Sequence, residues 1–404
     1  MLAWLILATL AWGALASFTA SQHASGATAV VAASEPLAYD AQQIWTSLSD
    51  ANDAAAAGIL AGGVEPQFVV TRYEGDLRTA KQDIVDAASR GGPMADLDPL
   101  QTGLTAYEEE VAKAEANNRL GYPVGAAYLR QASDMMINQL LPTAHDLYTR
   151  EDAQLTTASA QATGLPLIVV TIVAGLALGY GYYRCGRWLT RRTHRVLNGG
   201  MLLAGAAGLV AVLWMAGAFL AGRADLLTAQ AQGSTPVIAL ASTDIAVLKA
   251  HADESLTLIN NSGDDTNQTS FLDQLKLLGP GPGTLLSQAQ SAAAGSPAAA
   301  DAAAAAADAP AWFSAHTQVR NTDDRGQHQA AVGMAQPNGP AGKAYAKLAS
   351  DLSGGIVAAN DAFVAHARSG QDAFTGLEIG EIIATLVMVA GIAWGLSRRL
   401  AEYR

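Results

Sequence analysis

The chain holds a single cysteine, Cys185, in 404 residues. It therefore forms no intrachain disulfide and no cysteine-based zinc or iron–sulfur site, each of which needs at least two thiols. Aromatic residues are sparse at 6% and charged residues reach only 15%, although 50% of the chain is hydrophobic and the mean hydropathy is +0.17. That balance is too apolar and too poor in charge for an ordinary soluble enzyme. Positive charge is short as well, 24 Lys and Arg against 36 Asp and Glu, for a net charge of -12. A nucleic-acid partner needs a basic surface that displaces counterions, so none is expected.

Catalytic signatures are missing too. The seven histidines (His23, His145, His194, His251, His316, His328 and His366) never fall four apart, as a helical zinc site requires. Gly342-Lys343 continues with Ala344 rather than the Ser or Thr of a phosphate-binding loop, and no G-x-S-x-G elbow exposes a serine. The expectation is a chain that is not an enzyme and takes no metal or cofactor.

What the sequence does have is four apolar stretches: 1–18, 165–183, 199–222 and 377–396. The three internal ones approach the ~20 residues that cross ~30 Å of hydrocarbon. Trp4, Trp12, Tyr180, Tyr182, Tyr183, Trp188 and Trp394 fall near their ends or flanks, where interfacial aromatics belong. The first stretch contains Ala14-Leu15-Ala16, which a signal peptidase would accept, but it lacks a basic leader and is read as a retained helix.

Orientation follows from the arginines. The short link 184–198 holds Arg184, Arg187, Arg191, Arg192 and Arg195 without an acid, and the tail 397–404 adds Arg398, Arg399 and Arg404 against Glu402. The positive-inside rule puts both, and both termini, in the cytoplasm of a multi-pass plasma-membrane protein. The remaining, strongly acidic stretches 19–164 and 223–376 are then extracytoplasmic. About 23 residues face inward, too few for a catalytic domain, so a signal received outside must be handed to another protein.

Both outer stretches read as helical bundles. In the first, four apolar stripes of period 3.5 are separated by glycine and proline: Ile44, Leu48, Ala51, Ala55, Ile59; Val70, Tyr73, Leu77, Ala80, Ile84; Leu97, Leu100, Leu104, Tyr107, Val111; and Leu129, Ala132, Met136, Leu140, Leu147. The second begins alike, with Ile238, Ala241, Ile245, Leu248, Ala252, Ser255 and Ile259. At an offset of 200, Leu48 matches Leu248, Asp53 matches Asp253, Ile59 matches Ile259 and Gly63 matches Gly263. We read two copies of one unit: an all-α membrane protein with four transmembrane helices and two tandem extracytoplasmic four-helix-bundle domains of sensor type. Ser291 to Ala311, rich in alanine, reads as frayed helix or linker. The last helix has no proline from Ala341 onward and can run as one rod from Lys343 to Leu396, with Gly354-Gly355 and Ser369-Gly370 as possible breaks.

Polar clusters supply the site candidates. Asp50, Asn52 and Asp53, mirrored by His251, Asp253 and Glu254, suit an ammonium or guanidinium group; the competing reading is a solvated face. Asn117, Asn118, Arg119 and Tyr122 sit at a helix turn, where they either receive a carboxylate or a partner or simply cap the helix. Glu378 and Glu381 lie one turn into the last apolar stretch, paired or interfacial. Arg191, Arg192, Arg195, Arg398, Arg399 and Arg404 are candidate contacts for a cytosolic partner, or topology determinants beside anionic lipid. Gly205, Gly208 and Ala211 form a small-residue face that suits a homodimer.

Four segments carry a family likeness: Leu48 to Asp53 with Gly62-Gly63-Val64-Glu65-Pro66, Asn117 to Arg130, Ala252 to Thr257, and Ser397 to Arg404. With the four-segment layout, they resemble the actinobacterial GlnX-type membrane proteins over nearly the whole chain. The resemblance implies a sensor with tandem extracytoplasmic helical domains, working with the amino-acid-binding lipoprotein GlnH and the cytosolic Ser/Thr kinase PknG. It transfers no binding residue position by position. The expected function is thus a receptor that relays an amino-acid signal across the membrane, and the alternative is an envelope scaffold that senses nothing. A transporter is disfavoured, because the four segments offer little polar lining beyond Glu378 and Glu381.

Overall fold

The computed structural model describes residues 2–63, 65–193, 199–260 and 266–401, and it is all-helical, with no strand among them. The helices are α1 (Leu2–Ala29), α2 (Glu35–Leu60), α3 (Gln67–Ser89), α4 (Met94–Arg119), α5 (Val124–Met135), α6 (Leu141–Thr163), α7 (Leu165–Thr193), α8 (Gly199–Ala229), α9 (Thr235–Asn260), α10 (Thr266–Leu278), α11 (Leu285–Ala293), α12 (Ala299–Asp323), α13 (His328–Ala335), α14 (Pro340–Ala373) and α15 (Leu377–Ala401). Single π-helical turns at Val30–Ser34, Met136–Leu140 and Gln230–Ser234 join α1 to α2, α5 to α6 and α8 to α9. The chain divides into two compact units. An apolar unit comprises residues 1–32, 155–228 and 365–404, and a bundle unit comprises 33–154 and 229–364.

The apolar unit contains all four hydrophobic stretches, and four of the chain's helical runs are long and apolar enough to cross a membrane. Hydroxyls knit α1 to α7: Thr9 Oγ1 lies 2.6 Å from the Tyr182 hydroxyl, Thr19 Oγ1 lies 2.7 Å from Thr171 Oγ1, and Trp12 Nε1 donates to the Thr171 carbonyl at 3.0 Å. Glycines let the other helices close. A Cβ on Gly200 would overlap the backbone of Gly391 and Gly395, and one on Gly380 would overlap the Trp214 ring. Such small-residue contacts are how helices pack where no hydrophobic force separates them from lipid. The face proposed for a dimer is partly used within the chain: Gly208 packs on Met388 and Ala211 is buried, whereas Gly205 borders a cavity of about 210 Å³.

Two expectations change here. The basic link is shorter than its sequence suggested, because α7 runs on to Thr193 and carries Arg184, Arg187, Arg191 and Arg192. Arg191 is exposed. Arg398 and Arg399 lie on α15, while Arg195 and Arg404 fall outside the described residues. The final rod breaks at Phe374-Thr375-Gly376, where Gly376 takes φ +77°. Gly355 and Gly370 do not break it. Each instead admits a neighbour, Leu240 and Leu226 respectively, within 3.1 Å of where a Cβ would stand.

In the first half of the bundle unit every glycine and proline break ends a helix. Gly91 and Gly121 take φ +88° and +72°, and the amide of the following residue, Gly92 or Tyr122, donates back to the carbonyl of Ala87 or Asn117 at 2.8 and 2.9 Å. These are Schellman ends, which satisfy the last carbonyls of α3 and α4. The apolar stripes of α2, α4, α5 and α6 are buried as their spacing implies; on α3 Val69 is buried and Val70 only partly so. The second half uses six helices rather than four, three of them short. Its alanine-rich stretch is helix on either side of a turn at 294–298, and α12 presents Ala302, Ala305, Ala309 and Trp312 to the core at 2% exposure or less.

Stretches 33–154 and 229–364 form one compact unit, and α2 and α9 lie at its centre. Each buries 18 of its 26 residues, against five of 23 in α3, so both are covered on nearly every side. Leu256 of α9 belongs to the core built by the first half. The offset of 200 recurs in the elements themselves, since α9 and its preceding π turn match α2 and its π turn in both bounds. Gly263, the last residue of the sequence match, lies outside the described residues.

Candidate functional site

The polar residues of α2 follow their own helical stripe, Thr46, Asp50 and Asp53, beside the apolar one. On α9 the equivalent stripe holds Asp244 and His251, on α3 Arg72 and Asp76, and on α14 Tyr345. Spacings of three, four and seven keep each set on one helix face. In the bundle unit these four faces meet.

Asp53 is the hub. It is 0% exposed, and its two oxygens are both used. Oδ1 pairs with His251 Nδ1, while Oδ2 accepts from the Tyr345 hydroxyl at 2.7 Å and from Arg72 Nη2 at 3.0 Å. Arg72 Nη2 also pairs with Asp50 and lies 3.1 Å from the Tyr345 oxygen. The His251 ring stacks on Tyr345 with centroids 3.6 Å apart and planes 3° from parallel. A buried carboxylate survives only when paired and hydrogen-bonded. Burial alone would raise the pKa of Asp53, but the charges of His251 and Arg72, with the bonds from His251 and Tyr345, outweigh it and hold the carboxyl below its ordinary range.

Beside this network lies a cavity of about 430 Å³, bordered by Asp50, Arg72, Asp244, His251, Tyr345 and the hydroxyls of Thr46, Ser350 and Ser353. Asp244 is 6% exposed. Burial, then the nearby Asp50 charge, push its pKa up to about 8. Asp76 rises to about 8 for the same two reasons.

The structure thus brings Asp50, Asp53 and His251 together: Asp53 and His251 are buried, while the Asp50 side chain stays 28% exposed beside Arg72. Asp253 and Glu254 go elsewhere. Asp253 faces Lys249 at 3.6 Å, and Glu254 accepts from His316 Nδ1 at 2.7 Å while the His316 ring stacks on Phe271. Asn52 is buried without a partner for its Oδ1. Asn118 donates to the Ile59 carbonyl at 3.3 Å, Arg119 pairs with Glu115 on its own helix at 3.0 Å, and Tyr122 is 57% exposed. That group closes a helix end, where the Gly121 and Tyr122 amides donate back to the Asn118 and Asn117 carbonyls. In α15 Glu378 is exposed, whereas Glu381 is buried with neither carboxyl oxygen hydrogen-bonded. Arg72, Asp76, Asp244, Tyr345 and His316 escaped the sequence reading, although the spacing of Arg72 to Asp76 and of Asp244 to His251 was a visible signal.

Residues 26–160, about a third of the chain, match the family model of the actinobacterial sensor domain. The match runs from the end of α1 through most of α6. It contains Asp50, Asp53, Arg72 and Asp76, but none of the residues that the second half adds to the site. It supports a sensing role for the protein. No curated protein and no solved structure matches the chain.

Proposed function

We propose that this chain is a transmembrane signal relay without a catalytic step of its own. The bundle unit lies outside the plasma membrane, four helices span it, and both termini are cytoplasmic. The signal is extracellular amino acid, delivered through a solute-binding lipoprotein, and the recipient is a cytosolic Ser/Thr kinase that reads the arginine-bearing ends of α7 and α15. One observation supports this most. The Asp53–His251 pair ties α2 to α9, and each of those helices continues without a break in helical structure into an apolar helix, α1 or α8. A ligand that prefers one packing of α2 on α9 shifts the population of the other, provided its affinities for the two differ.

The experiment is purification of the full chain from its native membrane in mild detergent, with and without amino acids in the medium, followed by mass spectrometry. A solute-binding lipoprotein and a cytosolic kinase should co-purify in amounts that change with the amino acids. Recovery of envelope structural proteins, unchanged between conditions, would replace the relay with a scaffold.

A further inference from the structure

Two acids, Asp50 and Asp244, line the bundle-unit cavity with Arg72 on α3 and His251 on α9, and Asp53 and Asp76 lie within electrostatic reach of them without lining it. Both cations are taken, Arg72 by Asp50 and Asp53 and His251 by Asp53. Asp244 is left over. It borders the cavity, is 6% exposed, and its carboxyl is paired with no side chain among the described residues. An unpaired carboxylate is costly to bury, and one that opens on a cavity is placed to pair with a bound cation.

We propose that this cavity is a binding site for a small organic cation, an ammonium or guanidinium group seated between Asp244 and Asp50. Its volume falls within the ~300–1,000 Å³ typical of small-molecule sites. Tyr345 on α14 and Phe68, half-exposed on α3, offer aromatic surface to a cation, and Thr46, Ser350 and Ser353 offer hydroxyl oxygens. An anion is disfavoured because Arg72 Nη2 is already shared among Asp50, Asp53 and Tyr345. A metal ion is disfavoured because no group of three potential ligands is gathered for one among the described residues. As the ligand site of the relay, the cavity rests on the reading above; its occupancy does not.

A cation favours the ionised acid, so binding below pH 8 displaces a proton. Affinity should rise by up to about tenfold per pH unit as pH approaches 8, for one coupled proton. The groups that set this are Asp50 and Asp53 on α2, Arg72 and Asp76 on α3, Asp244 and His251 on α9 and Tyr345 on α14.

The test is thermal unfolding of the full chain in detergent, titrated with agmatine, with L-glutamate as the anionic control. Agmatine should raise the midpoint saturably and glutamate should not. Asp244→Asn should weaken agmatine by about ten- to a hundredfold, the range of a lost charge-assisted contact, and Asp146→Asn, an exposed acid elsewhere in the unit, should not. Ala346→Trp, at an exposed position of the lining, should block binding with every acid intact. No saturable shift, equal affinity in Asp244→Asn, or equal stabilisation by glutamate would overturn the site. If agmatine fails while amino acids still change what co-purifies, the relay stands and the site falls. If agmatine binds and co-purification never changes, the site stands and the relay falls.

Discussion

Asp53 and Asp244 are buried acids of opposite sign in their effect on stability. Asp53 is held below its ordinary range, so its contribution is present at neutral pH and lost as pH falls through its folded value. Asp244 is pushed up to about 8, so the stability it lends is full below the unfolded value near 4 and lost as pH rises toward 8. Asp53→Ala should therefore be severe. It leaves Arg72 with Asp50 alone and strips His251 and Tyr345 of their acceptor, a loss of about 3–5 kcal/mol by analogy with broken buried pairs. The thermal midpoint of the full chain measures it, and an unchanged midpoint would mean that the network does not hold the halves together. Asp244→Asn should do the reverse in the absence of ligand, unfolding above the wild-type midpoint at pH 8 and converging on it as pH falls toward 4. A constant gap across that range would remove the raised carboxyl from the account.

At the scale of elements, most of the fold was legible. Apolar residues at period 3.5, with Gly62, Gly91 and Gly121 at positive φ, mark where α2, α3 and α4 lie and where they stop. Alanine misled the reading of 291–311, since its propensity is compatible with a frayed peptide and with a packed helix alike. Packing decides, because α12 turns its smallest residues inward against α9, α11 and α14. Ala305 is 0% exposed and Ala303 is on the outer face. Ala305→Leu should cost about 1–3 kcal/mol by overpacking, and Ala303→Leu should be close to neutral. Equal midpoints for the two would return α12 to the status of a linker. The last rod failed for a different reason. Hydropathy and the lack of proline permit an unbroken helix, but they do not register Gly376 in a left-handed turn.

The whole molecule was the least legible, because its decisive contacts join residues far apart in sequence. Tyr345 reaches Asp53 across 292 positions and His251 reaches it across 198, and no local pattern on α2 announces either. Asp53 looked like part of a solvated face for the same reason: the helices that cover it, α9 and α14, belong to the other half of the chain. This makes a division at the link between α7 and α8 informative. Residues 1–193 and 199–404 each keep two of the four apolar helices, yet the first half alone exposes the α2 face that α9 buries and leaves Asp53 without His251 and Tyr345. The second half alone loses the first core to which Leu256 belongs. Each fragment expressed singly should be cut rapidly by protease within its bundle segment, and co-expression should restore a protected complex that purifies as one. Stable, protease-resistant bundles in the separate fragments would show two independent domains, and the shared polar hub would then be a contact between them rather than a condition for their folding.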